Sequence, residues 1–316
     1  MSLNESAYRL ARIVADNPQL GIEPHTIAGA EVLDFGVQSR GSLAAGLLLT
    51  RLCMGDQVQV ALQADDTAGP ALQPAVTVQT DRPLLACLGS QYAGWPVQAD
   101  DYFAMGSGPF RLLRGREPVL ESLGLAERSN VAVGVLESTE LPTAGAVAEV
   151  ANCVNRPAEH MTLCVAPAGS LAGSIQVVAR SVETAMHKLH ECGFDARQVR
   201  AGWGVAPLPP IARRNDVVGG IGRTNDAILY GGRVTLWVDV DQTEVERVID
   251  QIPSQASRDY GRPFAEVFKS YDYDFYKVDP RLFSPAVVTI VNLRTGAARQ
   301  SGRLNPDVLQ QSFFDS

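Results

Sequence analysis

Lysine is nearly missing from this chain: three of its 27 basic residues are lysine (Lys188, Lys269, Lys277) and the rest are arginine. With glutamine plentiful, that is the opposite of the Lys/Glu-rich, Gln-poor composition of hyperthermophile proteins, and a mesophilic source is expected. Cysteine occurs five times (Cys53, Cys87, Cys153, Cys164, Cys192), an odd number with no CxxC pair. Neither a disulfide framework nor a zinc knuckle is therefore expected, and the cytoplasm is the natural compartment. An excess of basic charge is also absent. The formal net charge of −8 excludes a general nucleic-acid or anionic-membrane binder, since both need a basic footprint to neutralise phosphates.

Long apolar runs are lacking too. The longest uncharged stretch, Leu163 to Ala179, carries Pro167, Gly169, Gly173, Ser174 and Gln176 and falls short of the roughly 20 apolar residues a spanning helix needs. Residues 1–20 set Glu5, Arg9, Arg12 and Asp16 among apolar residues at helical spacing, which predicts an amphipathic helix rather than a signal peptide. There is no GxxxxGK[ST], HExxH or GxSxG, which removes the common nucleotide, zinc-protease and hydrolase-elbow readings. GGIGRTN at 219–225 has two glycines of a dinucleotide fingerprint, but Asn225 replaces the third, so Rossmann binding is not expected.

What is present is an ordinary globular composition: 316 residues, 46% hydrophobic and 20% charged. At that length a single core begins to split, and two domains are expected. Strands are predicted at Ala30–Val37, Asp56–Leu62, Ala75–Gln79, Val131–Leu136, Met161–Val165, Tyr230–Val240 and Ala286–Asn292. Helices are predicted at Gly41–Leu52, from Gly108-Pro109 through Leu113, from Pro142-Thr143 through Ala151, and at Ser174–Cys192, where Gly193 closes the helix. Ala64–Gly69 reads as a polar turn. Ala206–Pro210 and Gly219–Gly222 read as loops lining a site. The fold class is mixed α/β, with domains at about 1–165 and 166–316 whose segments can interleave.

On the helix Ser174–Cys192, Arg180, Glu183, His187 and His190 fall at i, i+3, i+7 and i+10 along one face. The preceding run GSIQVVA is uncharged and should be buried, which sets the Arg180–Glu183 pair where a core helix meets a cleft. The arginine favours the ionised carboxylate while burial opposes it, and such a glutamate can accept a proton. Lys188 and Glu191, on the other side, read as a solvated face. Glu183, His187 and His190 also have the spacing of a metal triad, a reading opposed by the charge of Arg180. Satisfied helix-face histidines are the plainer alternative.

Two glycine-rich turns can contact a ligand. FAMGSGPF at 103–110 presents backbone N–H groups at a helix start with Ser107 and Gly108; a tight turn with an N-cap is the alternative. Gly222–Asp226 brings Arg223, Asn225 and Asp226 together, which suits a polar heterocycle edge; an Arg223–Asp226 ion pair explains it as well. Tyr92, Trp95 and the aromatics of YDYDFY at 271–276 offer faces for a planar ring. The alternation in YDYDFY equally fits an edge strand with one buried aromatic face.

Taken in order, LACLGSQYAGW, FAMGSGP, GSIQVVARSVETAMHKLHECGFD, IGRTNDAILYGGRV, SRDYGRPFAEVFKSYDYDFYKVDP and VNLRTG resemble the methenyltetrahydromethanopterin cyclohydrolase family, from about Asp81 to Gly296. The resemblance implies a two-domain α/β subunit with a large pocket between the domains, a homotrimer, and no metal or prosthetic group. It implies that Arg180 and Glu183 are the catalytic pair acting on a reduced-pterin one-carbon carrier. Gln91, Tyr92, Ser107, Gly108, Arg223, Asn225 and Asp226 are the expected carrier contacts. The chemistry implied is hydration of a cationic methenyl bridge, with Glu183 activating water and Arg180 orienting it and bonding the developing oxygen. A metal-dependent amidohydrolase using Glu183, His187 and His190, and a carrier-binding protein without turnover, are the alternatives from other classes.

Overall fold

A computed structural model describes residues 2–66, 73–213 and 216–315. Its strands are β1 (Glu23–Ile27), β2 (Ala30–Asp34), β3 (Gln59–Asp65), β4 (Gln73–Thr80), β5 (Trp95–Ala99), β6 (Tyr102–Ser107), β7 (Ala132–Glu137), β8 (Met161–Ala166), β9 (Val199–Pro207), β10 (Arg233–Val238), β11 (Val287–Asn292) and β12 (Ala298–Gly302). They form two six-stranded mixed sheets, so the mixed α/β class holds. The chain divides into two compact units, residues 1–58 with 85–176, and residues 59–84 with 177–316. The interleaving differs from a single division at 165/166. Its cause is strand pairing: β4 pairs antiparallel with β9, which carries the β3–β4 hairpin into the second unit.

In the first unit the strand order is β1-β2-β8-β7-β6-β5, with β2, β8 and β7 parallel and the outer strands antiparallel. Successive side chains leave opposite faces of a strand, and the central strands are apolar on both. Leu33, Val133, Val135 and Cys164 join one buried cluster; Val32, Leu136, Leu163 and Val165 join the other. Helices α1 (Leu3–Ala15) and α2 (Leu43–Cys53) cover the first face. In α1, Ser2 caps the Glu5 N–H, and Ala7, Leu10, Ala11 and Val14 supply the buried stripe, as the amphipathic pattern predicts. Helices α3 (Phe110–Arg114), α4 (Pro118–Leu123) and α5 (Ala144–Val154) follow, with Phe110, Val147 and Val150 in the second cluster. Helix α6 (Leu171–Val178) carries the chain out of this unit at Gln176.

The second unit has strand order β12-β11-β10-β9-β4-β3, antiparallel except for the β10–β11 pair. Helix α7 (Ser181–Glu191) packs on β9, β10 and β4, while α8 (Val217–Gly231) packs against α10 (Phe264–Ser270) and α11 (Pro306–Phe314). Helix α9 (Gln242–Val248) flanks β11. No helix among the described residues is long and apolar enough to cross a membrane.

Several local expectations change. The single helix at Ser174–Cys192 is two helices, α6 and α7, broken at Ala179-Arg180. Gly219–Gly222 lies inside α8, and Tyr230 belongs to the last turn of that helix instead of opening a strand. β3 runs through Asp65, so only part of the expected turn at Ala64–Gly69 remains, and residues 67–69 lie outside the described residues. YDYDFY is a pair of turns, not an edge strand: Asp272 and Tyr273 have φ of 54° and 61°, which break any extended run. Phe275 turns onto Phe264 and Phe268, with ring centroids 5.7 and 4.3 Å apart.

Candidate active site

Arg180 sits at the junction where α6 ends and α7 begins. Its φ and ψ of −76° and 2° leave the helical region, its N–H reaches back to the Val177 carbonyl at 3.0 Å, and its carbonyl accepts from Thr184 N–H at 2.8 Å. Neither glycine nor proline marks this break in the sequence; packing imposes it. The first turn of α7 lies so close on β9 that a Cβ on Gly204 would stand 2.5 Å from Ser181 Oγ, and one on Gly202 2.7 Å from Val182 Cγ1. Glycine at both places lets the helix start settle on the sheet. Arg180 and Glu183 are thereby held in a buried setting, 8% and 3% exposed. Arg180 Nη1 stands 3.6 Å from Glu183 Oε2, an ion pair beyond hydrogen-bond range. Arg180 Nε is buried with no hydrogen-bond partner. The site therefore holds a carboxylate next to a cation, groups suited to taking a proton from water and to bonding the oxygen it leaves.

The metal triad is not assembled. The ligand atoms of Glu183, His187 and His190 do not gather within 4.8 Å of one another. One trio among the described residues does, Glu23, His25 and Asp34. Asp34, however, accepts from four backbone N–H groups, those of Gly36, Val37, Gln38 and Ser39, at 2.6–2.8 Å. Burial pushes the Asp34 carboxyl up, but these four donors hold it below its ordinary value and occupy the lone pairs a metal would use. Lys188 is a correction: it is buried rather than solvated, and pairs with Glu191 at 3.3 Å, its stem covered as amphipathic side chains allow.

The chain from Leu84 to Gln91, where it enters the first unit, forms a π-helical turn, with Tyr92 N–H donating to Cys87 O at 2.9 Å. Gln91 is completely enclosed, Tyr92 is half-buried, Ser107 ends β6 and Gly108 follows it. Gly108 N–H donates to Ser90 O at 2.7 Å, which joins the two expected contact segments. Ser107 Oγ lies 3.3 Å from Cys53 Sγ, and Gln176 Nε2 donates to the same sulfur at 3.2 Å. Sequence reasoning passed over Arg111 and Glu117. They form a fully buried bidentate pair, Nε to Oε1 at 2.9 Å and Nη2 to Oε2 at 2.5 Å, and Arg111 Nη1 donates to Leu88 O and Ser90 O, each at 3.1 Å. The readable signal was an arginine directly after Phe110 in an apolar helix, FRLL.

The expected contacts at 222–226 lie on α8 and have different fates. Arg223 extends over the chain at Pro210 O and Ile211 O, 3.4 and 3.5 Å from Nη1. Asn225 Nδ2 donates back to Ile221 O at 2.8 Å. Asp226 does not pair with Arg223: its oxygens accept from Phe264 N–H at 2.8 Å and Ser312 Oγ at 2.6 Å, within the core joining α8, α10 and α11. Burial pushes its carboxyl up to about 7, with those two hydrogen bonds pulling down. Asp226 thus ties three helices together from inside.

Two mixed sheets and a buried Arg–Glu pair at a helix break define an α/β protein with the groups for acid–base chemistry. A family model described as Cyclohydrolase (MCH) matches residues 2–313. The methenyltetrahydromethanopterin cyclohydrolase of Rhodopirellula baltica is 54% identical over 296 residues, 92% of this chain and 88% of that protein. Those of Methylobacillus flagellatus (43% over 286 residues, covering 90% and 86%) and Methanococcoides burtonii (41% over 288 residues, covering 90% and 89%) are also similar. The chain belongs to the MCH cyclohydrolase family.

Proposed function

We propose that this chain is a cyclohydrolase that hydrates the N5,N10-methenyl bridge of tetrahydromethanopterin to the N5-formyl compound, reversibly, in one-carbon metabolism. The observation that carries the reading is the buried Arg180–Glu183 pair at the start of α7, in a chain of this family. The bridge carbon is an amidinium, electrophilic and positively charged. Glu183 takes a proton from water as the carbon–oxygen bond forms. Arg180 turns the carboxylate toward the water and bonds the new oxygen. Collapse of the carbinol makes the formyl C=O and breaks the bond from carbon to N10, which leaves protonated, and one proton is released overall. The Glu183 charge offsets the repulsion between Arg180 and the cationic substrate.

Carrier contacts are proposed for Gln91, Tyr92, Ser107 and Gly108, and for the half-buried Arg223 and Asn225 on α8. Asp226, enclosed in the helix junction, supports that segment rather than touching the carrier. No cofactor is invoked, the working unit is a homotrimer, and five cysteines without disulfides suit the cytoplasm. The test is loss of the conjugated methenyl absorbance on adding the enzyme, before and after dialysis against a strong chelator. Hydration at an unchanged rate supports the reading. Activity lost to the chelator and restored by a divalent ion would turn it to metal-assisted hydrolysis.

A further inference from the structure

The first turn of α7 meets the second sheet at a low place. Gly202 and Gly204 of β9 are two residues apart, so they open on the same face of the strand, and both are buried. Their register partners are Leu236 and Val234 on β10 and Thr80 and Val78 on β4, and directly paired residues share a face. Larger side chains therefore wall a glycine slot on both sides. Val182, wholly buried, stands over it. A Cβ on Gly202 would lie 2.7 Å from Val182 Cγ1, and one on Gly204 would lie 2.9 Å from Val182 Cγ2 and 2.5 Å from Ser181 Oγ. Glycine inside a strand weakens it and marks the close approach of another element. β9 has little room to give way, because it is paired with a neighbour along each edge.

Val182 is branched at Cβ and in a helix keeps essentially one χ1 rotamer. Its two methyls over two glycines thus fix the height of the first turn of α7 above the sheet and its roll about the helix axis. Glu183 is the next residue, about 100° further round the helix, and Arg180 lies two residues back, so the same seat decides where their side chains meet. We propose that Val182 is a positioning residue for the hydration reaction: seated in the Gly202–Gly204 slot, it holds Glu183 at its working angle to Arg180 and to the attacking water. Being wholly enclosed, it acts through Glu183 and not on the substrate. This inference rests on the cyclohydrolase reading and adds what sets the geometry of its catalytic pair.

Gly202→Ala puts a methyl under Val182 and should displace the first turn of α7. Since a misplacement of about 1 Å can cost about 10²-fold in rate, kcat should fall about 10–100-fold with KM within about threefold. The protein is first shown folded by its circular dichroism. Adding Val182→Ala removes the methyl that the new one strikes, and kcat should return to within about threefold of Val182→Ala alone. Val182→Ala by itself empties the slot without crowding it and should lower kcat about 3–10-fold at unchanged KM; it decides the matter if Gly202→Ala does not fold. Wild-type kcat in either folded single variant would overturn the proposal, as would a double variant no better than Gly202→Ala. A loss carried by KM alone would overturn it as well. A wild-type protein that hydrates no methenyl carrier would sink the cyclohydrolase reading alone. Amide exchange at Thr184, whose N–H donates to Arg180 O at 2.8 Å, would still decide whether the slot holds this turn. Exchange about tenfold faster in Val182→Ala, with the later amides of α7 unmoved, is the expected result, and unchanged exchange would overturn the seat.

Discussion

Two buried arginine–glutamate pairs, one in each unit, are built in opposite ways. Arg111 and Glu117 meet bidentately at 2.5–2.9 Å, and Arg111 spends its remaining reach on two backbone carbonyls. Arg180 and Glu183 stand 3.6 Å apart, and Arg180 keeps an unpartnered Nε. Burial is similar, with Arg111 at 0% and Arg180 at 8% exposed. Charge and burial therefore do not distinguish the two pairs; the bonding of the arginine does. A pair in which every arginine nitrogen is already hydrogen-bonded has little left for a substrate, whereas a pair standing beyond hydrogen-bond range can exchange its partners during a reaction.

That contrast can be broken in three places. The largest effect is expected on turnover: Arg180→Met should lower kcat by about 10²–10³, measured by loss of methenyl absorbance. The double variant with Glu183→Gln should be little worse than either single one, since residues acting as a unit are strongly non-additive. Additive losses would mean the two residues act independently.

Next comes stability. Arg111→Met leaves Glu117 buried without its partner, which should cost about 3–5 kcal/mol, while Arg180→Met should cost less. Adding Glu117→Leu to Arg111→Met should recover much of the loss, because removing a whole buried pair is far milder than removing half of it. Thermal melts check both, and an Arg111→Met protein that melts like wild type would dissolve the distinction between the pairs.

The smallest effect concerns Asp226, whose carboxyl burial raises to about 7. A raised folded-state pKa means that the folded protein binds the proton more tightly than the unfolded one. Stability from this group is therefore full below the unfolded value near 4, falls as pH rises, and is lost above about 7. Asp226→Asn keeps a donor for Ser312 and an acceptor for Phe264. Between pH 4 and 8 its melting temperature should fall less than that of the wild type, and parallel curves would contradict the assignment.

Much of this was legible in the sequence because the signals were local. The 3.6-residue stripe of α1, the apolar runs of β7, β8 and β11, and the position of Arg180 three residues before Glu183 all follow from spacing. What was not legible depended on contacts distant in sequence. The break at Arg180 comes from glycines of β9 more than 20 residues on. The hairpin β3–β4 joins the second unit through the pairing of β4 with β9. Gly222–Asp226 looked like a loop because glycine and asparagine weaken helices, yet packing of α8 on α10 and α11 outweighs that preference. The Arg111–Glu117 clamp spans six positions and a turn, a spacing that no helical rule flags.

The most direct measurement is kcat for methenyl-carrier hydration by Glu183→Gln, on protein first shown folded by its melt. Glutamine keeps the size and hydrogen bonding of Glu183 and removes its basic oxygen. A fall of at least about a hundredfold, with KM and melting temperature near wild type, is the expected result. Near-normal turnover would contradict the assignment of Glu183 as the base and would leave the loose pair at the start of α7 without its chemical role.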